Sequence, residues 1–193
     1  MAIDTGLAIQ CPDLQSTGGI TQICLRSFAT GDAATIDATA DTHGYSSIVD
    51  SGGSTANWFV YEFKNETPTL NITATKENGS TAFECALSFS LPRMADPKFH
   101  ELQKMLNECM MAIVTDTNGA NFVVGLSEKF RNEDVLTKNQ TYLNLAGMEG
   151  TTGAAYSDEN MITINLVARQ FELPRLYSGT LTVDTSALTA TTN

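Results

Sequence analysis

Apolar and polar residues alternate along much of this chain with the two-residue period of a half-buried strand. Ile20, Gln22, Cys24, Arg26 and Phe28 alternate with Thr21, Ile23, Leu25 and Ser27, which predicts a first strand over 20–28. Asn57–Lys64 sets Trp58 and Val60 on one face against Phe59, Tyr61 and Phe63 on the other. Thr69–Lys76 alternates Leu70, Ile72 and Ala74 with Thr69, Asn71, Thr73 and Thr75. Asn78-Gly79 is then a strong hairpin signal, returning through Thr81–Leu91 to a stop at Pro92. A second hairpin joins Met111–Thr115 to Asn121–Leu126 across Asp116-Thr117-Asn118-Gly119. Later strands are predicted over 141–148, 161–171 and 179–183.

One segment changes period. Asp96-Pro97 reads as an N-cap and first helical position, and Phe99, Leu102, Leu106 and Cys109 or Met110 follow at three- and four-residue steps. That predicts one amphipathic helix over about residues 96–110. Residues 29–56, built of Ala, Thr, Asp, Gly and Ser, read as a long loop, a length that in a compact domain usually carries function. Residues 1–19 read as an N-terminal arm, 127–140 as a charged solvated segment, and 184–193 as a Thr/Ala tail with nothing to bury. The expectation is a single mainly-β domain over 1–193, an antiparallel β-sandwich or barrel-like fold with one flanking α-helix.

An internal echo cuts across this order. Phe89-Ser90-Leu91-Pro92-Arg93 and Phe171-Glu172-Leu173-Pro174-Arg175 share F-x-L-P-R, with Ala86 and Ala168 three residues before each Phe. Either two equivalent β-units descend from a duplication, or Leu-Pro-Arg recurs by chance at strand ends.

Composition strengthens the β reading. The 193 residues include 26 Thr and 13 Ser, and only 17% are charged, so hydroxyls carry the polar load that long helices give to Glu and Lys. The net charge of −11, with eleven cations spread along the chain, leaves no basic patch for phosphate binding. An acidic surface can still face DNA by repelling it. No run of about 18 apolar residues is present, so no membrane span is expected. Met1–Gly6 has neither a cationic start nor an apolar run, and the chain is expected to stay in the cytoplasm until assembled.

The candidate chemistry is sparse. Cys11, Cys24, Cys85 and Cys109 form no metal-ligand spacing and read as buried thiols, with a Cys11–Cys24 bridge as the alternative. His43 and His100 lie in no nucleophile–base motif. Asp116-Thr117-Asn118-Gly119 resembles a fragment of a calcium loop, yet a plain strand follows where further ligands are needed, so it reads as a tight turn. Asp32, Asp37 and Asp41 read as solvated loop acids rather than an ion site, and the glycosylation-type triplets at Asn65, Asn71, Asn78 and Asn139 carry little without a secretion signal. Trp58, Phe59, Tyr61 and Phe63 lack interleaved cations and read as core or subunit interface rather than a base-stacking platform. No catalytic, cofactor-binding or metal residue is assigned, and the chain is read as a non-enzyme.

The order of elements resembles a family. An arm, a strand, a long loop, hairpins and one helix lead to MMAIVTDTNGANFVVGL, and a late segment reads GMEGTTGAAYSDENMITINLVARQFELP. From about residue 20 to 183 this order and spacing is similar to the tail tube proteins of tailed bacteriophages and the related tubes of contractile injection systems. The resemblance implies a β-sandwich with a flanking helix, six copies in a ring whose inner strands join into one continuous barrel, and rings stacked through a long loop and terminal arms. It makes 29–56 the stacking loop, with its larger apolar residues Ile36, Tyr45, Ile48 and Val49 as inter-subunit contacts. It implies a homo-oligomeric virion protein partnered by other tail proteins, through whose lumen DNA passes without specific binding. A head decoration, tail-terminator or baseplate protein, or a monomeric cell-surface β-sandwich binding module, would share many of these features.

Overall fold

The computed structural model describes residues 17–28, 33–36, 44–50, 55–126 and 142–192, and within them the alternating segments become strands. In chain order these are β1 (Ile20–Ser27), β2 (Ala33–Ile36), β3 (Gly44–Val49), β4 (Ala56–Tyr61), β5 (Thr69–Glu77) and β6 (Ser80–Pro92). A helix, α1 (Asp96–Met105), leads to β7 (Met110–Asp116), β8 (Asn121–Val124), β9 (Asn144–Thr151) and β10 (Met161–Gln170). The chain finishes through β11 (Arg175–Tyr177), β12 (Leu181–Asp184) and β13 (Thr189–Thr192). The mainly-β fold with a single helix is therefore as the pattern predicts.

The strands form two sheets. The larger runs β12-β13-β4-β1-β7-β8-β11-β3-β2, and the smaller runs β5-β6-β10-β9. Every pairing is antiparallel except β11 with β3. Between the sheets lies a first core, with Ile23, Leu25, Ala112 and Val114 of the large sheet against Leu87, Phe89, Ile162, Ile164 and Leu166 of the small one. Leu102 and Met105 of α1 join that core. Each strand contributes every second residue, as the pleat requires.

The opposite face of the large sheet buries a second core of Trp58, Tyr45, Ile48, Met111, Ile113 and Ala190. The sheet curls to enclose it. Thr192 on β13 donates its hydroxyl to the Ile48 carbonyl on β3 at 2.8 Å, although the two strands stand second and eighth in the sheet. An antiparallel bridge between Val49 and Thr55 turns the chain from β3 towards β4 at the same place.

Several expectations change here. The 29–56 stretch is not a continuous loop, because β2 and β3 lie inside it and Gly44, Tyr45 and Ile48 are buried. The 184–193 tail is not idle either: β13 pairs with both β12 and β4 and buries Ala190 and Thr192. Gly44, Ala190 and Thr192 are small, so their burial leaves little hydrophobic signal. Helix α1 is capped at Ala95, not Asp96, with Asp96 and Pro97 in its first turn. It ends at Met105 because Met110 is drawn into β7, opposite Ser27, and exchanges backbone bonds with Leu143. The two F-x-L-P-R segments occupy unlike places: Phe89 and Leu91 are buried, while Phe171 and Leu173 are exposed. They are not equivalent units. The arm residues 1–16, Ile36's side chain and the 127–141 segment lie outside the described residues.

Candidate assembly interface

The small sheet is built for two different surroundings. Opposed residues share a face, and Leu70–Leu87–Leu166 and Ile72–Cys85–Ala168 run across it towards the first core. The alternate rows point outward. Thr69 stands beside Ser88, Asn165 and Gly147, while Thr73 stands beside Glu84 and Arg169. Ser88 Oγ donates to Asn165 Oδ1 at 2.7 Å, and the Ser90 and Thr163 hydroxyls lie 3.0 Å apart. The rows thus carry hydroxyls and amides that partner one another across strands, with Ser90 itself buried and Ala86 beside Val167 between them and the Glu84–Arg169 pair.

Its charges are few. Beyond the hairpin end, the outward positions carry only Glu84, Glu149 and Arg169. Arg169 Nε sits 3.4 Å from Glu84 Oε2, an exposed pair of little energetic weight that still places an acid beside the one cation.

Both outer strands of this sheet lack a further partner among the described residues. Among the described residues β5 pairs only with β6, and β9 only with β10. They run nine and eight residues, contain no proline, and carry charge only at Lys76, Glu77 and Glu149. Apart from those three charges and one register shift at residues 145–147 of β9, the two edges present rows of N–H and C=O groups to an incoming strand. The foot of β9 is anchored by Leu143 and Met110, which exchange backbone bonds of 2.9 and 3.0 Å. The edge is therefore held in place from within the domain.

Below the β5 edge the sandwich stays open as a groove of about 430 Å³. Ile20, Leu70, Ile72, Val114 and Phe122 give it an apolar floor, and Asp116 and Asn118 stand at one end. The Asp116 carboxylate is already occupied by its turn, accepting from the backbone of Asn118 and Ala120 at 2.9 and 2.7 Å and from Asn118 Nδ2 at 3.1 Å. Desolvation pushes this carboxyl up, but the hydrogen bonds from Ala120, Asn118 and Gly119 outweigh it and hold it below the usual carboxylate range. The turn reading of residues 116–119 stands.

The residues singled out as contacts fall differently. Tyr45 and Ile48 are wholly buried in the second core, which places them inside one copy rather than between copies. Val49 is half-buried on β3, and the side chain of Ile36 is among those not described. Of the aromatic strand, Trp58 lies in the second core, Tyr61 and Phe63 pack on the first, and Phe59 is 59% exposed beside α1.

Cys24 and Cys85 are free and buried, and burial pushes both thiols up to about 12, with Glu84 adding to the effect at Cys85. Cys109 is half-buried; Cys11 and His43 lie outside the described residues, and His100 is exposed on α1. Among the described residues no group of three or more His, Cys, Asp or Glu is placed to hold a metal ion. No helix among them is long and apolar enough to cross a membrane.

Sequence patterning found the four strands of the small sheet but not the site. Strand order, and with it the two edges, depends on pairings as distant in the chain as Phe83 with Gln170. Ile72 and Met148 look like ordinary core positions in the sequence, and only their place on edges exposes them by 40% and 43%. No protein-family profile matches the chain, and no curated protein does so either.

Proposed function

We propose that this chain is a structural, self-assembling protein of the tail-tube kind, which joins edge to edge into a ring around a lumen. The observation that carries this reading is the small sheet, whose two long edge strands have no partner beyond them among the described residues. Four antiparallel strands leave β5 and β9 running in opposite directions. Copies related by rotation about one axis would therefore bring β9 beside β5 of the next copy in antiparallel register, and every junction would repeat the pairing found within the sheet. An odd number of strands would not allow this. Such a head-to-tail contact closes into a ring when the rotation closes, and neither edge of the small sheet remains exposed.

The outward face fits a conduit. A ring of six would make a barrel of roughly 24 strands, wider than the barrels that already leave an aqueous channel. Hydroxyls, amides, the apolar Ala86 and Val167 and one acid-guarded arginine would line it, giving DNA phosphates no row of cations to hold them. DNA would pass without specific binding. Stacked rings would make the tube of a virion, assembled in the host cytoplasm with other tail proteins as partners.

Sedimentation velocity over a concentration series tests this. The reading requires mass to rise in steps beyond one copy as concentration increases. A single 20.8 kDa species at every concentration would overturn it.

A further inference from the structure

Met148 and the groove beneath β5 lie at opposite edges of one sheet and on the same side of it. Ile72, at the groove, is opposed to Cys85, and Met148 is opposed to Ile164; both partners are fully buried towards the first core. Met148 itself is 43% exposed with no strand beyond it among the described residues. We propose that the groove lined by Ile20, Leu70, Ile72, Val114 and Phe122 receives Met148 from a second copy of this chain. The inference rests on the assembly reading and adds to it the contact that fixes its direction.

The local sequence of β9 suits this role. Met148 stands among Ala146, Gly147, Glu149 and Gly150, so it is the one large apolar side chain in that stretch. Glycine within a strand leaves room for another backbone to come close. At Gly147 the nearest atom to an added Cβ would be Asn165 Nδ2, 3.9 Å away, so no tight internal packing requires the glycine there. A methionine adapts its shape to an irregular apolar groove better than a branched residue.

Charge selects the head-to-tail partner over the symmetric one. Pairing β9 with another β9 would bring two Glu149 side chains onto one face and leave the groove open. Pairing β9 with β5 instead places Glu149 among Thr69, Asn71 and Thr73, which are uncharged. Like charges across a strand pair destabilise it.

The test mixes two full-length variants, Ile72→Cys and Met148→Cys, and treats each alone, the mixture and the wild-type chain with a short bis-maleimide. A cross-linked dimer from the mixture, absent from either variant alone beyond the wild-type background, is the expected result. Cross-linking of Met148→Cys alone, or none in the mixture while wild-type chains assemble, would overturn the inference and leave the assembly reading intact. Wild-type chains that never assemble would overturn both. Met148→Glu gives a second measurement: the concentration needed for assembly should rise at least about tenfold while the melting temperature of the single copy holds. Unchanged assembly in that variant would contradict the proposal.

Discussion

The indole Nε1 of Trp58 donates to the hydroxyl of Thr192 at 3.0 Å, and that hydroxyl donates in turn to the Ile48 carbonyl at 2.8 Å. Three strands of the large sheet meet in this relay, and the second core closes over it. Thr192 is 1% exposed, so neither of its partners can turn to water instead. Thr192→Val keeps the shape and removes both bonds. It is expected to lower stability by about 1–3 kcal/mol in urea unfolding, the cost of leaving buried polar groups unpaired. Trp58 is the only tryptophan, so its fluorescence reports the same unfolding directly.

Gly125 follows β8 at a tight backbone position. Its φ is +85°, and an added Cβ would lie 2.7 Å from the Met110 carbonyl oxygen and 2.9 Å from the Leu143 nitrogen. Those two residues form the bridge that anchors β9. Gly125→Ala should cost roughly 2–5 kcal/mol, combining left-handed strain with overpacking. Because β9 is one edge of the proposed contact, surviving folded protein should also assemble less well, read by sedimentation velocity.

Alkaline pH should weaken the fold in a defined window. The thiols of Cys24 and Cys85 rise from 9.0 in the open chain to about 12 when buried. A raised folded value means that the native state holds its protons longer, so this stability is full below about 9 and is lost as pH climbs towards 12. Tyr61 moves the same way through burial and through Glu101 beside it. Urea midpoints measured from pH 8 upward should fall, and Cys24→Ser with Cys85→Ala should flatten the fall.

Asp116 acts at the other end of the scale. Its carboxyl is held below the usual range by the turn, so the stability it adds is present above that range and lost as pH falls through it. Asp116→Ala should cost roughly 1–2 kcal/mol, from several modest hydrogen bonds in a partly exposed turn. Asp116→Asn, which still accepts hydrogen bonds, should recover part of it and remove the acid dependence, as followed by thermal unfolding between pH 2 and 6.

These expectations separate what the sequence makes legible from what it hides. The hairpins at Asn78-Gly79 and Asn118-Gly119 follow from local chemistry: Asn78 and Gly79 take φ of 48° and 82°, a pair that few other residues adopt. Strands with large alternating side chains, such as β6 and β10, were legible for the same reason. Strand β13 was not, since Thr189-Ala190-Thr191-Thr192 gains its burial from Trp58 and Ile48, more than 130 residues away. Tyr45 and Ile48 sit in a stretch so rich in small and polar residues that they look isolated until the curled sheet surrounds them. The proposed site is hidden most deeply, because an edge is defined by the strand that is missing beside it.

The most direct measurement is negative-stain electron microscopy of the purified full-length chain over a concentration series. Rings or hollow tubes of one uniform width, lost in the Met148→Glu variant, are the predicted result. Single particles of one copy at every concentration, or irregular aggregates without a lumen, would contradict the account.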